Sequence, residues 1–172
     1  FLVIMDAKRG DIGSTSQAYA NAYLGKNAPF PSDALTINPW LGIDSLEPFF
    51  KKASETGSGL FILAHTSNKG SRDIQEMPLE IGIKCYEHLA NILKPIIEKY
   101  TGTLGLSSVG VVSGATFIEE ALALRELLPS APFLNLRRAT AVSSTSISAS
   151  AVLALAKTDS ISPIIHSSIS TW

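Results

Sequence analysis

Two carboxylates and an ammonium stand close together near the start of this chain, at Asp6, Lys8 and Asp11. The apolar run Phe1-Leu2-Val3-Ile4-Met5 leads straight into them. A short run of this kind, with Val and Ile and ending near Gly10, reads as a strand buried on both faces, as in a parallel sheet. Side chains alternate along a strand, so Asp6 and Lys8 share a side. Asp11 falls in the loop beyond, and Ser14 or Ser16 is placed to cap a helix beginning near Gln17. Acid and base groups therefore converge at the C-terminal end of a parallel strand, where α/β enzymes place their chemistry. A surface ion pair at a strand end accounts for the charges alone equally well.

The elements that would hold these groups alternate along the chain. Gln17 to Leu24 reads as a short helix stopped near Gly25, and Asn27 to Ser32 as a loop. Ala34 to Ile37 is a strand ending at Asn38-Pro39. A helix runs from Asp44 or Ser45 to about Thr56, and Leu60 to Ala64 is an apolar strand followed by a polar loop, His65 to Ile74. Leu79 to Tyr100 has helical spacing, with a kink expected at Pro95. Val109 to Val112 is a strand. Phe117 to Leu128 is a helix with Glu119 and Glu120 in its first turn, where the macrodipole favours acids. Phe133 to Leu136 is a strand. This alternation predicts parallel βαβ units, hence a barrel or a doubly wound sheet.

Composition excludes several classes. The chain has 172 residues, 45% of them hydrophobic and 17% charged, with a net charge of −1. That suits a globular domain with a sizeable core. Neither a nucleic-acid nor a membrane partner is recommended by that balance, and no apolar run reaches the length of a membrane span. The single cysteine, Cys85, cannot form an internal disulfide, which fits a reducing cytosol, and it reads as a small core residue. No His, Cys and carboxylate cluster has metal-ligand spacing. His65 reads as a loop bystander and His88 as a helix surface residue. Asn38 ends a strand on the catalytic side and is a candidate for lining a site. Trp40 and the Phe49-Phe50 pair read as core or helix-packing residues, and Arg9 equally as an outward-facing charge.

The segment Asp6-Ala7-Lys8-Arg9-Gly10-Asp11-Ile12-Gly13-Ser14-Thr15 resembles the Asp-x-Lys-x-x-Asp motif of the orotidine 5′-phosphate decarboxylases, in the form typical of their longer bacterial branch. The similarity continues through Tyr19 to Gly25, Asn38-Pro39-Trp40-Leu41-Gly42, Thr66-Ser67-Asn68 and Val111 to Thr116, and covers roughly Phe1 to Leu134. It implies a fragment of a (β/α)₈ TIM barrel covering about strands 3 to 7. It also implies decarboxylation of orotidine 5′-phosphate to UMP in pyrimidine biosynthesis, without cofactor or metal, in a cytoplasmic homodimer. In that frame Lys8 delivers a proton to C6 of the pyrimidine, and Asp6 holds Lys8 beside the departing carboxylate. Asp11 and Thr15 match residues that reach the partner subunit's site. Ser67 matches the serine that binds the pyrimidine amide edge, a loop serine capping a turn being the plainer alternative.

Two further expectations concern the ends. A chain opening on Phe1 in mid-strand is expected to lack preceding sequence, including one family Asp and one family Lys. Residues 1–136 would form the partial barrel domain and residues 137–172 a divergent Ser/Ala-rich tail. No Gly follows Gly114, so the family's glycine-rich phosphate loop is not recognisable. A shifted reading frame after about Leu134 would explain that loss. Without that Asp, that Lys and that loop, the chain alone is expected to be inactive. Two other readings stand beside this one: a Mg²⁺-dependent sugar-phosphate decarboxylase or aldolase of the same suprafamily, and a non-catalytic truncated remnant.

Overall fold

The computed structural model describes residues 1–114, 116 and 118–136. Five strands, β1 (Ile4–Arg9), β2 (Ala34–Ile37), β3 (Gly59–His65), β4 (Val109–Gly114) and β5 (Phe133–Leu136), form one sheet in the order β1-β2-β3-β4-β5. All four pairings are parallel. Helices α1 (Gly13–Tyr23), α2 (Glu47–Thr56), α3 (Cys85–Lys99) and α4 (Ile118–Leu127) lie in the crossovers. A doubly wound sheet reverses its strand order at a switch point. Consecutive order with right-handed crossovers keeps the helices on one face, as in the wall of a barrel. The strand order thus resolves the choice that the alternating pattern leaves open.

Strands β2, β3 and β4 bury both faces, which is why they read as continuous apolar runs, whereas β1 begins only at Ile4 and is at most half-buried, with Phe1, Leu2 and Val3 exposed ahead of it. On the helical face Leu35, Ile37, Leu60, Ile62, Val109 and Val111 pack against Phe49, Ala53, Leu93, Ile97 and Leu124. On the opposite face Ala34, Phe61, Val112 and Leu134 form a smaller cluster with Ile4 and Leu63. The 3₁₀ turn Asp44–Leu46 leads into α2, whose Phe49 and Phe50 are buried as expected.

Three local expectations are corrected. Helix α1 begins at Gly13 and not Gln17, and neither Ser14 nor Ser16 caps it. Asp11 takes over the loop instead: its Oδ1 accepts the Ile12 N–H at 2.7 Å. Ser16 Oγ donates to the Asp11 carbonyl. Helix α3 begins at Cys85 and not Leu79. Residues 79–84 turn back on themselves, Ile83 donating no helical bond there but accepting the Leu79 N–H at 2.9 Å. Glu87 Oε2 then accepts the Lys84 N–H at 2.6 Å and starts the helix. Trp40 is not a core residue but 69% exposed. The tight turn after β2, in which Asn38 Oδ1 accepts the Trp40 N–H at 3.0 Å, keeps it on the surface.

The expected tail, residues 137–172, lies outside the described residues. Among the described residues no helix is long and apolar enough to cross a membrane. Among the same residues no group of three His, Cys, Asp or Glu could hold a metal ion.

Candidate active site

Strand β1 carries the charge cluster to its C-terminal end. Met5 and Ala7 face the helices and pack on the main core, whereas Ile4 joins the opposite cluster. Asp6 and Lys8 follow Ile4 onto that inner side, and Lys8 Nζ lies 2.5 Å from Asp6 Oδ2. Both side chains are about half exposed, at 44% and 45%. Lys8 has φ +49°, unlike every other non-glycine described. A left-handed backbone at such a residue costs on the order of 1 kcal/mol and persists only where the surroundings over-determine it. Here Thr36 on β2 holds the bend, its Oγ1 accepting the Lys8 N–H at 2.9 Å and standing 3.0 Å from Asp6 Oδ1.

The exits of β1 and β2 are pressed together. Asn38 N–H donates to the Arg9 carbonyl at 2.8 Å. A Cβ on Gly10 would lie 2.7 Å from the Asn38 carbonyl oxygen, so only glycine fits there. Asn38 itself is exposed at the end of β2, against Arg9 and Gly10, and its side-chain oxygen is engaged with Trp40. Arg9 does not point freely into solvent but sits half-buried, 5.5 Å from the Tyr19 ring centroid. Asp11 turns toward its own loop backbone, and Thr15 is exposed in the first turn of α1. Among the described residues no ion pair joins Asp11 to Lys8.

Ser67 follows β3, two strand spacings or about 10 Å from β1. It is exposed, and its backbone rests on Gly114 at the end of β4, where a Cβ would lie 3.0 Å from the Ser67 nitrogen. Gln75 clamps this loop from below: its Oε1 accepts the Thr66 N–H at 2.8 Å and its Nε2 donates to Thr66 Oγ1 at 3.0 Å. Thr66 Oγ1 also donates to Asn68 Oδ1 at 2.7 Å.

His65 is the site's main departure from the sequence reading. It is not a loop bystander but the fully buried last residue of β3, edge-on to Tyr86 at 5.1 Å and 3.4 Å from Glu76 Oε1. Burial pushes its pKa down, against the pull of Glu76. Partial burial would raise the Glu76 carboxyl, but Lys84, Arg72 and His65 together outweigh it and hold it below the usual range. Burial first, and nearby carboxylates second, push the Tyr86 hydroxyl up to about 12. Contacts across a nine-residue loop leave no trace in spacing, so neither Gln75 nor Glu76 could be read from the sequence. Thr36 had a signal, as a lone hydroxyl inside the buried strand Ala34-Leu35-Thr36-Ile37.

A groove of about 920 Å³ lies elsewhere, between α1, α2 and the end of α3, with Gln17, Lys51 and Tyr100 in its walls. None of Asp6, Lys8, Asn38 or Ser67 lines it.

Comparison with known proteins bears on this arrangement. The model of the orotidine 5′-phosphate decarboxylase / HUMPS family matches residues 1–152. An orotidine 5′-phosphate decarboxylase of Clostridium tetani is 41% identical over 133 residues, covering 77% of this chain and 46% of that protein. One from Haloarcula marismortui is 44% identical over 135 residues, covering 77% and 44%. A Streptomyces avermitilis structure described as an orotidine 5′-phosphate decarboxylase superposes with a TM-score of 0.68 at 41% identity, covering 78% of this chain and 45% of that one. The OMP decarboxylase of Leishmania donovani gives 0.60 at 32% identity, covering 77% and 47%. The chain spans about half the length of the curated relatives it matches, and its five-stranded sheet is the matching part of their TIM barrels. With its family model matched over residues 1–152, the chain belongs to the orotidine 5′-phosphate decarboxylase / HUMPS family.

Proposed function

We propose that this chain is part of an orotidine 5′-phosphate decarboxylase in which Lys8 protonates C6 of the pyrimidine. The observation that carries the reading is the 2.5 Å Asp6–Lys8 pair at the C-terminal end of β1, within a segment matched by the family model. Breaking the bond between C6 and the carboxylate releases CO₂ and leaves an electron pair on C6. An ammonium beside that carbon stabilises the developing charge and then supplies the proton. Lys8, left neutral, regains a proton from solvent. Asp6 orients the ammonium. Ser67, about two strand spacings away, takes the far edge of the pyrimidine, and Asn38 the space between. No cofactor is needed for this sequence of steps. Asp11, in the loop beyond β1, and Thr15, exposed in the first turn of α1, serve the partner's site in a cytoplasmic homodimer.

The test is a hybrid in which residues 1–133 of this chain replace the matching segment of the Clostridium tetani relative. The hybrid forms UMP from orotidine 5′-phosphate, and a chelator does not abolish the activity. A hybrid that folds but forms no UMP, or one that depends on Mg²⁺, overturns the reading.

A further inference from the structure

We infer that Thr36 is a positioning residue for the Asp6–Lys8 pair. The inference rests on the reading of that pair as the reacting groups.

Thr36 is the single hydroxyl of β2 and is fully buried. Its neighbours Leu35 and Ile37 face the helices, so Thr36 and Ala34 face the inner side. A valine has nearly the same shape and an equal preference for strands. A buried hydroxyl is unfavourable unless it is hydrogen-bonded, so its presence is explained by its partners. Those partners are the two halves of the pair. Thr36 Oγ1 accepts the Lys8 backbone N–H at 2.9 Å, and its own proton goes to Asp6 Oδ1 at 3.0 Å in preference to the Met5 carbonyl at 3.5 Å. Asp6 thereby spends one oxygen on Thr36 and offers the other, Oδ2, to Lys8 Nζ. One oxygen atom fixes both the left-handed backbone that aims the lysine and the carboxylate that receives it.

The register shift between Met5 and Arg9 supports this assignment. Regular pairing of β1 with β2 stops at Met5–Leu35 and resumes only at Arg9–Ile37. The Thr36 side chain occupies that gap and supplies the Lys8 N–H with an acceptor that the ladder does not.

Thr36→Val, Thr36→Ala and Thr36→Ser separate this role from packing. In the 172-residue chain at micromolar concentration, the rate of lysine acetylation is read by mass spectrometry. The expectation for the valine and alanine variants is a rise of at least about threefold at Lys8, with Lys26, Lys51 and Lys99 unchanged as internal controls. Serine restores the wild-type rate. In the hybrid, valine lowers kcat by roughly 10²-fold, the scale of a small misplacement of a reacting group, and leaves KM within about threefold. Lys8 reactivity unchanged in T36V and T36A, a rise shared by all lysines, or failure of serine to rescue overturns the inference. An inactive wild-type hybrid would instead remove the decarboxylase reading, while the acetylation result still decides whether Thr36 holds the pair.

Discussion

Lys8 and His65 illustrate what one residue's surroundings can and cannot reveal in advance. The placement of Asp6 and Lys8 on one side was legible because strand alternation fixes it, and the structure pairs them at 2.5 Å. The burial of His65 was not legible, since it depends on Glu76 and Tyr86 folding back over the strand end. Each yields a prediction. In the hybrid, Lys8→Ala should lower kcat by at least about 10²-fold, the usual contribution of a positioned proton donor. Lys8→Arg should fail to rescue it, because guanidinium does not release its proton. Steady-state assay of UMP formation checks both. For His65, burial holds the folded pKa below the ordinary 6.5, and Glu76, Lys84 and Glu120 are the charges acting on it, with Arg72 facing Glu76. A depressed pKa means the unfolded chain binds protons more readily. The contribution to stability is complete above about pH 6.5 and is lost as pH falls toward the folded value. The thermal midpoint of the hybrid should therefore drop between pH 7 and 5, and His65→Phe, which keeps a ring against Tyr86, should flatten that drop. An identical slope in the variant would contradict the assignment.

At the level of elements, β2, β3 and β4 were predicted to within two residues, because burial on both faces makes them continuous apolar runs, whereas β1 starts three residues later than its apolar run and is only partly buried. Helix starts were predicted less well. At α1 Asp11 binds the loop backbone in place of the expected Ser14 or Ser16 cap, and at α3 Glu87 starts the helix six residues later than its apolar spacing suggests. The joint between elements that matters most is the exit of β1 against β2. Gly10→Ala places a methyl 2.7 Å from the Asn38 carbonyl oxygen, so the two exits must part. Because Lys8 lies just before that joint, the expected result in the hybrid is a fall in kcat of roughly 10²-fold. Gly57→Ala, with nothing within 4 Å of its added Cβ and no part in the site, should leave kcat unchanged and act only on stability. Equal kcat in both variants would show that the joint does not aim Lys8.

For the whole molecule, β1 and β5 are edge strands among the described residues, and the inner apolar cluster is shared by strands alone. Open edges of this kind associate. The isolated 172-residue chain should sediment as mixed oligomers and form no detectable UMP; a monodisperse monomer with measurable turnover would refute both expectations. In the hybrid the two-fold exchange proposed for Asp11 has its own signature. Lys8→Ala and Asp11→Ala subunits should each be nearly inactive as homodimers. Mixed after reversible dissociation, about half the dimers are heterodimers carrying one intact site, so activity should recover to roughly a quarter. No recovery despite demonstrated exchange would place Asp11 in its own subunit's site.

The consecutive strand order also bears on how the polypeptide is made. Every ladder joins a strand to the one synthesised just before it, so no strand waits for a partner two units downstream. A ribosome releasing the chain from its N-terminal end can lay the sheet down one unit at a time. The loops closed differ in length: pairing Leu60 with Val109 encloses about twice as many residues as pairing Val111 with Phe133. That doubling costs only about 0.6 kcal/mol of chain entropy, too little to reorder assembly. Among the described ladders that of β1 with β2 can close first, so Lys8 and Thr36 can meet before the loop bearing Ser67 has left the ribosome.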